Sequence, residues 1–365
     1  MARALAFINP SLSTTNVGDL FIEDSVKRIL VFDRQRSIDI DPRRRLTPAD
    51  IARINATDAA VIVGTNLWYR RLPKPDRWRI TLADLRQIRV PIIPLGVGTT
   101  RHAREDNGFE PETLAQIRWM HDRCPLASAR DWRTVEALEE AGIHNVSMTG
   151  CPTLYRNLAP VWKLRTPERP GRVVVTVRKG QRMNVRLLLR LLAEAGLGSI
   201  VAGQQPSDKF VRPWPLRPSL APLLHAYEVP PYLSLVESSV GAIGWRLHGN
   251  MLHLAHGNPA VFFANCSRAE SFCRSFGLPC VVSPDHTRLS ESQLAEGIER
   301  LFDPQAFASF GANYAHYRGK MASFLEANGL EHRLHGAPSD AMAARRMGSV
   351  ASELLVSRHH DANAT

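Results

Sequence analysis

The sequence predicts an α/β protein of two Rossmann-like halves facing a cleft. Three observations predict it. Short apolar runs alternate with stretches of helical spacing as far as Gly150. The composition then breaks at Leu164 to Arg172, a polar stretch rich in Pro and Arg that reads as a linker. After it the same alternation restarts, the pattern of a second mostly parallel sheet covered on both faces. A chain of 365 residues is also long for one core, at ~100–200 residues per domain. The expected division is 1–163, 173–330 and a tail, 331–365, partly helical or disordered.

In order, Ala4 to Ile8 reads as a strand, not as a signal peptide, because no full apolar region with a cleavage site follows. Asp19 to Phe32 has the apolar spacing of a helix. Ala59 to Gly64 and Val90 to Gly98 read as buried strands. Thr113 to Arg123 is a helix, Leu126 to Arg130 a strand, and Asp131 to Ala141 a helix stopped by Gly142. Val146 to Gly150 closes the first series. The second series runs strand Val173–Val177, helix Val185–Ala195, strand Ser199–Gly203. A proline-rich, loop-like segment follows, Gln204 to Pro231, long for a connection. Then come helix Pro231–Ser238, strand Val240–Gly244, helix Gly249–His256 and strand Ala260–Phe263. Ser290 to Phe302 and Pro304 to Asn328 read as helices.

Composition narrows the function classes. Hydrophobic residues are 44% and charged residues 22%, ordinary for a soluble globular protein, and no apolar run is long enough to span a bilayer. Five cysteines without a CxxC pair argue against a disulfide framework and a zinc ribbon. The net charge of +11 is scattered, with short clusters at Arg43-Arg44-Arg45 and Arg70-Arg71. No nucleic-acid motif accompanies it, so no nucleic-acid partner is expected. The charge is compatible with an anionic substrate and with a loose membrane-surface association.

In open α/β sheets, ligands sit at the C-terminal ends of strands. Five polar segments fall there: Asn16-Val17-Gly18-Asp19, Gly64-Thr65-Asn66, Gly96-Val97-Gly98, Arg130-Asp131 and Trp245-Arg246-Leu247-His248-Gly249. In the first, Gly18 permits close approach and Asp19 either caps the helix, the commoner use, or acts as a base. Arg130 suits a carboxylate or phosphate, while Asp131 suits an N-cap. Arg246 and His248 follow a buried strand, where charge is costly unless paired or facing a cleft. Their alternate spacing on extended backbone sends both side chains one way. Arg suits anion binding and His suits proton transfer. A structural Arg–carboxylate pair beside a satisfied His fits these residues as well as an active site does. His248, His253 and His256 form an HxxxxHxxH pattern whose steps of five and three do not share one face. With no acidic residue to complete a set, no metal is expected.

Taken in order, these segments resemble the polysaccharide pyruvyl transferase family. The family's N-x-G-D loop is matched by Asn16-Val17-Gly18-Asp19, and its strand-end R-D by Arg130-Asp131. Its T-G-D-P segment corresponds to Thr149-Gly150-Cys151-Pro152, and its R-L-H-G segment to Arg246-Leu247-His248-Gly249. Arg268, Phe272 and Phe276-Gly277-Leu278 fit the basic residue, the aromatic and the G-L that follow. The sequence departs from the pattern at four places. Cys151 replaces Asp, Gly64-Thr65-Asn66 replaces a more Gly-rich turn, Trp245 replaces a small residue, and Arg268 replaces the commoner Lys.

The resemblance implies a GT-B-like fold and no cofactor, with phosphoenolpyruvate as co-substrate. It implies a saccharide acceptor from a cell-surface or exported glycan, lipid-linked or free, and a pyruvate ketal as product. The expected setting is cytoplasmic, with peripheral contact to the inner membrane surface left open. In that chemistry His248 is the candidate proton donor and Asp19 the candidate base. Arg246, with Arg130, Arg178 or Arg268, would hold phosphate and carboxylate, and Asn16 and Gly18 are further substrate-binding candidates. Two rivals stand beside it. A nucleotide-sugar glycosyltransferase of the same fold could offer Glu237 or Glu270 to a ribose. A non-catalytic homologue acting as a binding subunit is kept open by Cys151 and Trp245, against the joint presence of Asp19, Arg246 and His248.

Overall fold

The computed structural model describes residues 2–99, 108–165, 171–211, 223–225, 227–264, 266–283 and 288–334. All of them fall in one compact unit, Met1–His335. The expected tail from 335 onward, the linker core 166–170 and most of the proline-rich segment (212–222 and 226) lie outside the described residues.

Two parallel sheets organise the chain. The first contains β1 (Leu5–Ile8), β2 (Ile38–Ile40), β3 (Ala59–Val63) and β5 (Ile92–Leu95), in the order β2-β1-β3-β5. Two small parallel pairs accompany it: β4 (Asn66–Trp68) with β6 (Gly98–Thr99), and β7 (Ala127–Ala129) with β8 (Val146–Met148). Every residue of β1, β3 and β5 is buried, which is why these strands are continuous apolar runs without alternation. Helices α1 (Val17–Ile29), α2 (Pro48–Asn55), α3 (Leu82–Gln87), α4 (Pro111–His121) and α5 (Trp132–Glu140) connect them. Thr47 with Asp50, and Thr81 with Asp84, form reciprocal caps that fix the starts of α2 and α3.

The second sheet holds β9 (Arg172–Thr176), β10 (Gly198–Gly203), β11 (Leu223–His225), β12 (Ser239–Gly244), β13 (Ala260–Ala264) and β14 (Cys280–Val282). Its order is β11-β10-β9-β12-β13-β14, all parallel. Helices α6 (Arg182–Glu194), α7 (Val229–Glu237), α8 (Leu247–Ala255), α9 (Ser267–Phe276) and α10 (Glu291–Phe302) complete this half.

The last helix among the described residues, α11 (Ala308–Ala327), returns to the first half. Tyr314 Oη donates to Ala159 O (2.9 Å), and Asn328 Nδ2 to Leu126 O (2.9 Å). Beyond the helix, Val31 N donates to Glu331 O (2.8 Å) and Arg333 N to Ile29 O (2.8 Å).

Several sequence expectations change in detail. The loop-like segment from Gln204 contains a short 3-10 helix, Pro206–Val211, and the edge strand β11. The expected strand Val90–Gly98 is interrupted at Gly96, whose φ is +65°. The expected helix Pro304–Asn328 begins as a 3-10 turn, Pro304–Phe307, before α11.

The strand orders place the site. In the first sheet the winding reverses between β1 and β3; in the second it reverses between β9 and β12. Loops diverge at such reversals and leave a crevice at the C-terminal strand ends.

Candidate functional site

The loops leaving β1, β3, β9 and β12 line one cavity of 480 Å³. Asn16 and Asp19 reach it after β1, Thr65 and Asn66 after β3, Arg178 after β9, and Trp245 to His248 after β12. Arg130 joins from the end of β7, and Cys266 and Arg268 from the start of α9. Of the eight residues given a catalytic or binding role from the sequence, seven line the cavity: Asn16, Asp19, Arg130, Arg178, Arg246, His248 and Arg268. Gly18 sits behind its wall. A Cβ there would lie 2.8 Å from His248 Nδ1, so only glycine lets the loop approach the histidine.

Asn16, not Asp19, caps α1: its side chain accepts Gly18 N at 3.2 Å. Asp19, in the first turn, is thereby free for the cavity. It accepts Thr14 Oγ1 (2.8 Å) and Arg43 Nη2 (3.3 Å), with Thr65 Oγ1 at 3.5 Å. Asp131 caps α5 by accepting Thr134 N (2.9 Å). That places Arg130 at the cavity with only 1% of its surface exposed. Arg130 donates to Asn66 Oδ1 and lies 3.8 Å from the Asp131 carboxylate.

The expected extended Arg-x-His geometry is corrected. The chain turns into α8 directly after β12, so Arg246 is the residue before the helix and His248 lies in its first turn. Both still line the cavity, because a helix start points into the crevice at the strand ends. Arg246 also makes the carboxylate pair considered for it. Its Nη2 meets the buried Asp208, and its Nε donates to Val177 O (3.0 Å). The structural and the functional reading therefore describe the same side chain.

Six guanidiniums line this space, those of Arg43, Arg77, Arg130, Arg178, Arg246 and Arg268, against the carboxylates of Asp19 and Asp76. Nε of Arg130 and of Arg268 and Nε2 of His248 are buried without a hydrogen-bond partner. Burial holds the His248 pKa well below 6.5, and the neighbouring Arg130, Arg268 and Arg246 lower it further. Cys266 precedes α9. Burial alone pushes its thiol up, but Arg268, the backbone N–H of Ala269 and Arg178 bring it below the ordinary thiol value. Such a cavity suits a small, multiply charged anion with a neutral imidazole beside it.

Residues 16–267 match the family model for polysaccharide pyruvyl transferase. The chain belongs to the polysaccharide pyruvyl transferase family. No curated protein matches the chain in sequence. Among solved structures, the UDP-GlcNAc 2-epimerase of Neisseria meningitidis bound to UDP-GlcNAc is similar in fold. The TM-score is 0.51 at 12% identity, over 89% of this chain and 99% of that chain. MurG of Acinetobacter baumannii gives a TM-score of 0.43 at 10% identity, covering 89% and 99%. The fold of this pyruvyl transferase family member is accordingly GT-B-like, α/β with two main parallel sheets.

Within the family pattern, the departures separate in space. Trp245 lines the cavity and packs its ring against Phe263 at 5.0 Å. Cys151 is fully buried, its Sγ donating to Thr153 Oγ1 at 3.4 Å, and is not part of the cavity wall. His253 is fully buried in α8, with Ser239 Oγ 3.4 Å from its Nδ1. Among the described residues, no group of His, Cys, Asp or Glu is arranged to hold a metal ion, and no helix is long and apolar enough to cross a membrane.

Arg43, Tyr69, Arg77, Gln204 and Cys266 also line the cavity, and no motif in the sequence marks them as site residues. Arg43 had the Arg43-Arg44-Arg45 cluster as a signal, but nothing local marked which arginine turns inward. Glu237 and Glu270, offered to a ribose in the rival reading, do not line the cavity.

Proposed function

We propose that the protein transfers the pyruvyl group of phosphoenolpyruvate onto two hydroxyls of a saccharide, releasing phosphate and leaving a pyruvate ketal. The observation that carries this reading is six arginines and one histidine around a single cavity at both winding reversals. Phosphoenolpyruvate presents a phosphate and a carboxylate, which Arg forks bind bidentately. Arg246, Arg130, Arg178 and Arg268 are the anchors in this reading. His248, protonated in the complex with the bound anion, gives that proton to the methylene carbon, which makes C2 cationic. One acceptor hydroxyl adds at C2 and phosphate departs with the bridging electron pair. The second hydroxyl then closes the ketal. Of the two hydroxyl protons, one leaves with phosphate and one restores His248. Asp19, held by Thr14 and Arg43, faces the cavity as the base that receives the first.

Thermal melting tests the donor. A ligand bound only by the folded state at 100 times its Kd stabilises by about 2.7 kcal/mol. Phosphoenolpyruvate should raise Tm, and UDP-sugars at equal concentration should not. The reverse pattern would hand the site to a nucleotide-sugar reaction. Neither ligand shifting Tm would favour the binding-subunit reading.

A further inference from the structure

The segment after β10 carries a buried carboxylate that no motif singled out. Asp208, on the 3-10 helix Pro206–Val211, has no exposed surface. Its Oδ2 accepts Gln204 N (2.9 Å) and Gln205 N (3.2 Å). Its Oδ1 accepts Lys179 N (3.3 Å) and Arg246 Nη2. Four donors fill the accepting capacity of a carboxylate.

Arg246 is thereby held on two arms. Nη2 is taken by Asp208 and Nε by Val177 O, which fixes the guanidinium plane. Nη1 is the arm left for a ligand. Gln204 extends the same construction to the opposite wall. Its backbone N is tied to Asp208, and its carbonyl accepts Val17 N (2.9 Å), the first residue of α1. Its Nε2 donates to Tyr232 Oη (3.2 Å). One bracket thus joins the anion anchor after β12 to the Asn16–Asp19 loop after β1.

We infer that Asp208 is a positioning residue: it presets the orientation of Arg246 toward the donor and, through Gln204, holds the Asn16–Asp19 loop in register with it. This rests on the reading of Arg246 as a phosphoenolpyruvate anchor. A preset guanidinium lowers the ordering cost of binding, and its partner's loss should appear in donor affinity before turnover.

The experiment is a double-mutant cycle of Asp208→Asn and Arg246→Ala in the full chain. Phosphoenolpyruvate Kd is read by calorimetry, and KM and kcat by ketal formation. Asp208→Asn should weaken Kd and KM by about tenfold, with kcat far less changed. The double variant should bind no worse than Arg246→Ala alone, because both remove one device. A folded Asp208→Asn with wild-type Kd, or strictly additive losses, overturns the inference. Exchange of the Arg246 Nε–H, followed by nitrogen-15 NMR, is a second readout. It should be slow in the free wild-type protein and fast in Asp208→Asn. If that variant does not fold, the wild-type signal decides: rapid exchange before ligand is added means the guanidinium is not preset. A wild-type protein that binds no phosphoenolpyruvate overturns the donor reading alone, and the Nε–H exchange still judges the bracket.

Discussion

His248 meets three guanidiniums before any substrate arrives. Arg130, Arg268 and Arg246 surround an already desolvated ring, so the imidazole is neutral at pH 7. A neutral imidazole cannot donate the proton that the proposed chemistry needs. An anion bound on the same arginines offsets their repulsion and adds its own attraction, both of which favour the protonated ring that the proposed chemistry needs. Phosphoenolpyruvate binding should take up as much as ~1 proton at pH 7 through this ring. The measurement is calorimetry in two buffers of different ionisation enthalpy. Uptake on binding means that affinity strengthens as pH is lowered from 8 to 6. His248→Ala should remove this contribution; equal uptake in that variant would discard the proton-donor role. At this scale the sequence was legible where chemistry and a strand end coincided, as at Asp19, Arg130 and His248. It was not legible at Arg43 or Asp208. Arg43 reaches Asp19 across 24 residues and Asp208 reaches Arg246 across 38, and no local pattern records such pairs.

At the scale of elements, α8 is seated by one missing side chain. A Cβ on Gly249 would collide with Gln204 Nε2 and come within 2.6 Å of Tyr232 Oη. Gly249→Ala should therefore destabilise the fold by about 1–3 kcal/mol, the usual cost of overpacking. It should also weaken donor binding, because Arg246 and His248 ride on the same helix start. Chemical denaturation alongside donor titration checks both. A variant as stable as wild type would mean that Gln204 moves aside freely. The apolar runs β1, β3, β9 and β12 were legible because each is buried on both faces. The three-residue strands β2 and β4 were not, since Ile38-Asp39-Ile40 and Asn66-Leu67-Trp68 are too short to show a period. The turn from β12 into α8 leaves no mark in the sequence, because α8 lacks a side-chain cap, the usual signal of a helix start.

Over the whole molecule, buried histidines lower stability in acid, two of them outside the cavity wall. Burial lowers His121 to about 4 and His253 to about 3, from 6.5 in the unfolded chain. Between those values the unfolded state binds protons that the folded state refuses, so folding stability falls as pH drops below 6.5. At pH 5 the loss is about 2 kcal/mol for each histidine. Tm should accordingly be lower at pH 5 than at pH 7.5; a flat profile would mean that water reaches these rings. The two-half plan was legible from the restart of alternation after Leu164. The return of α11 to the first half was not, because the sequence of a helix does not name the sheet it covers. That return bears on how the protein is made. Val31, Leu126 and Ala159 receive their partners from Glu331, Asn328 and Tyr314, so the half synthesised first waits for residues synthesised more than a hundred positions later. During translation the first half therefore leaves the ribosome with its cover still unmade, and a chaperone would find exposed there the apolar surface that α11 later closes.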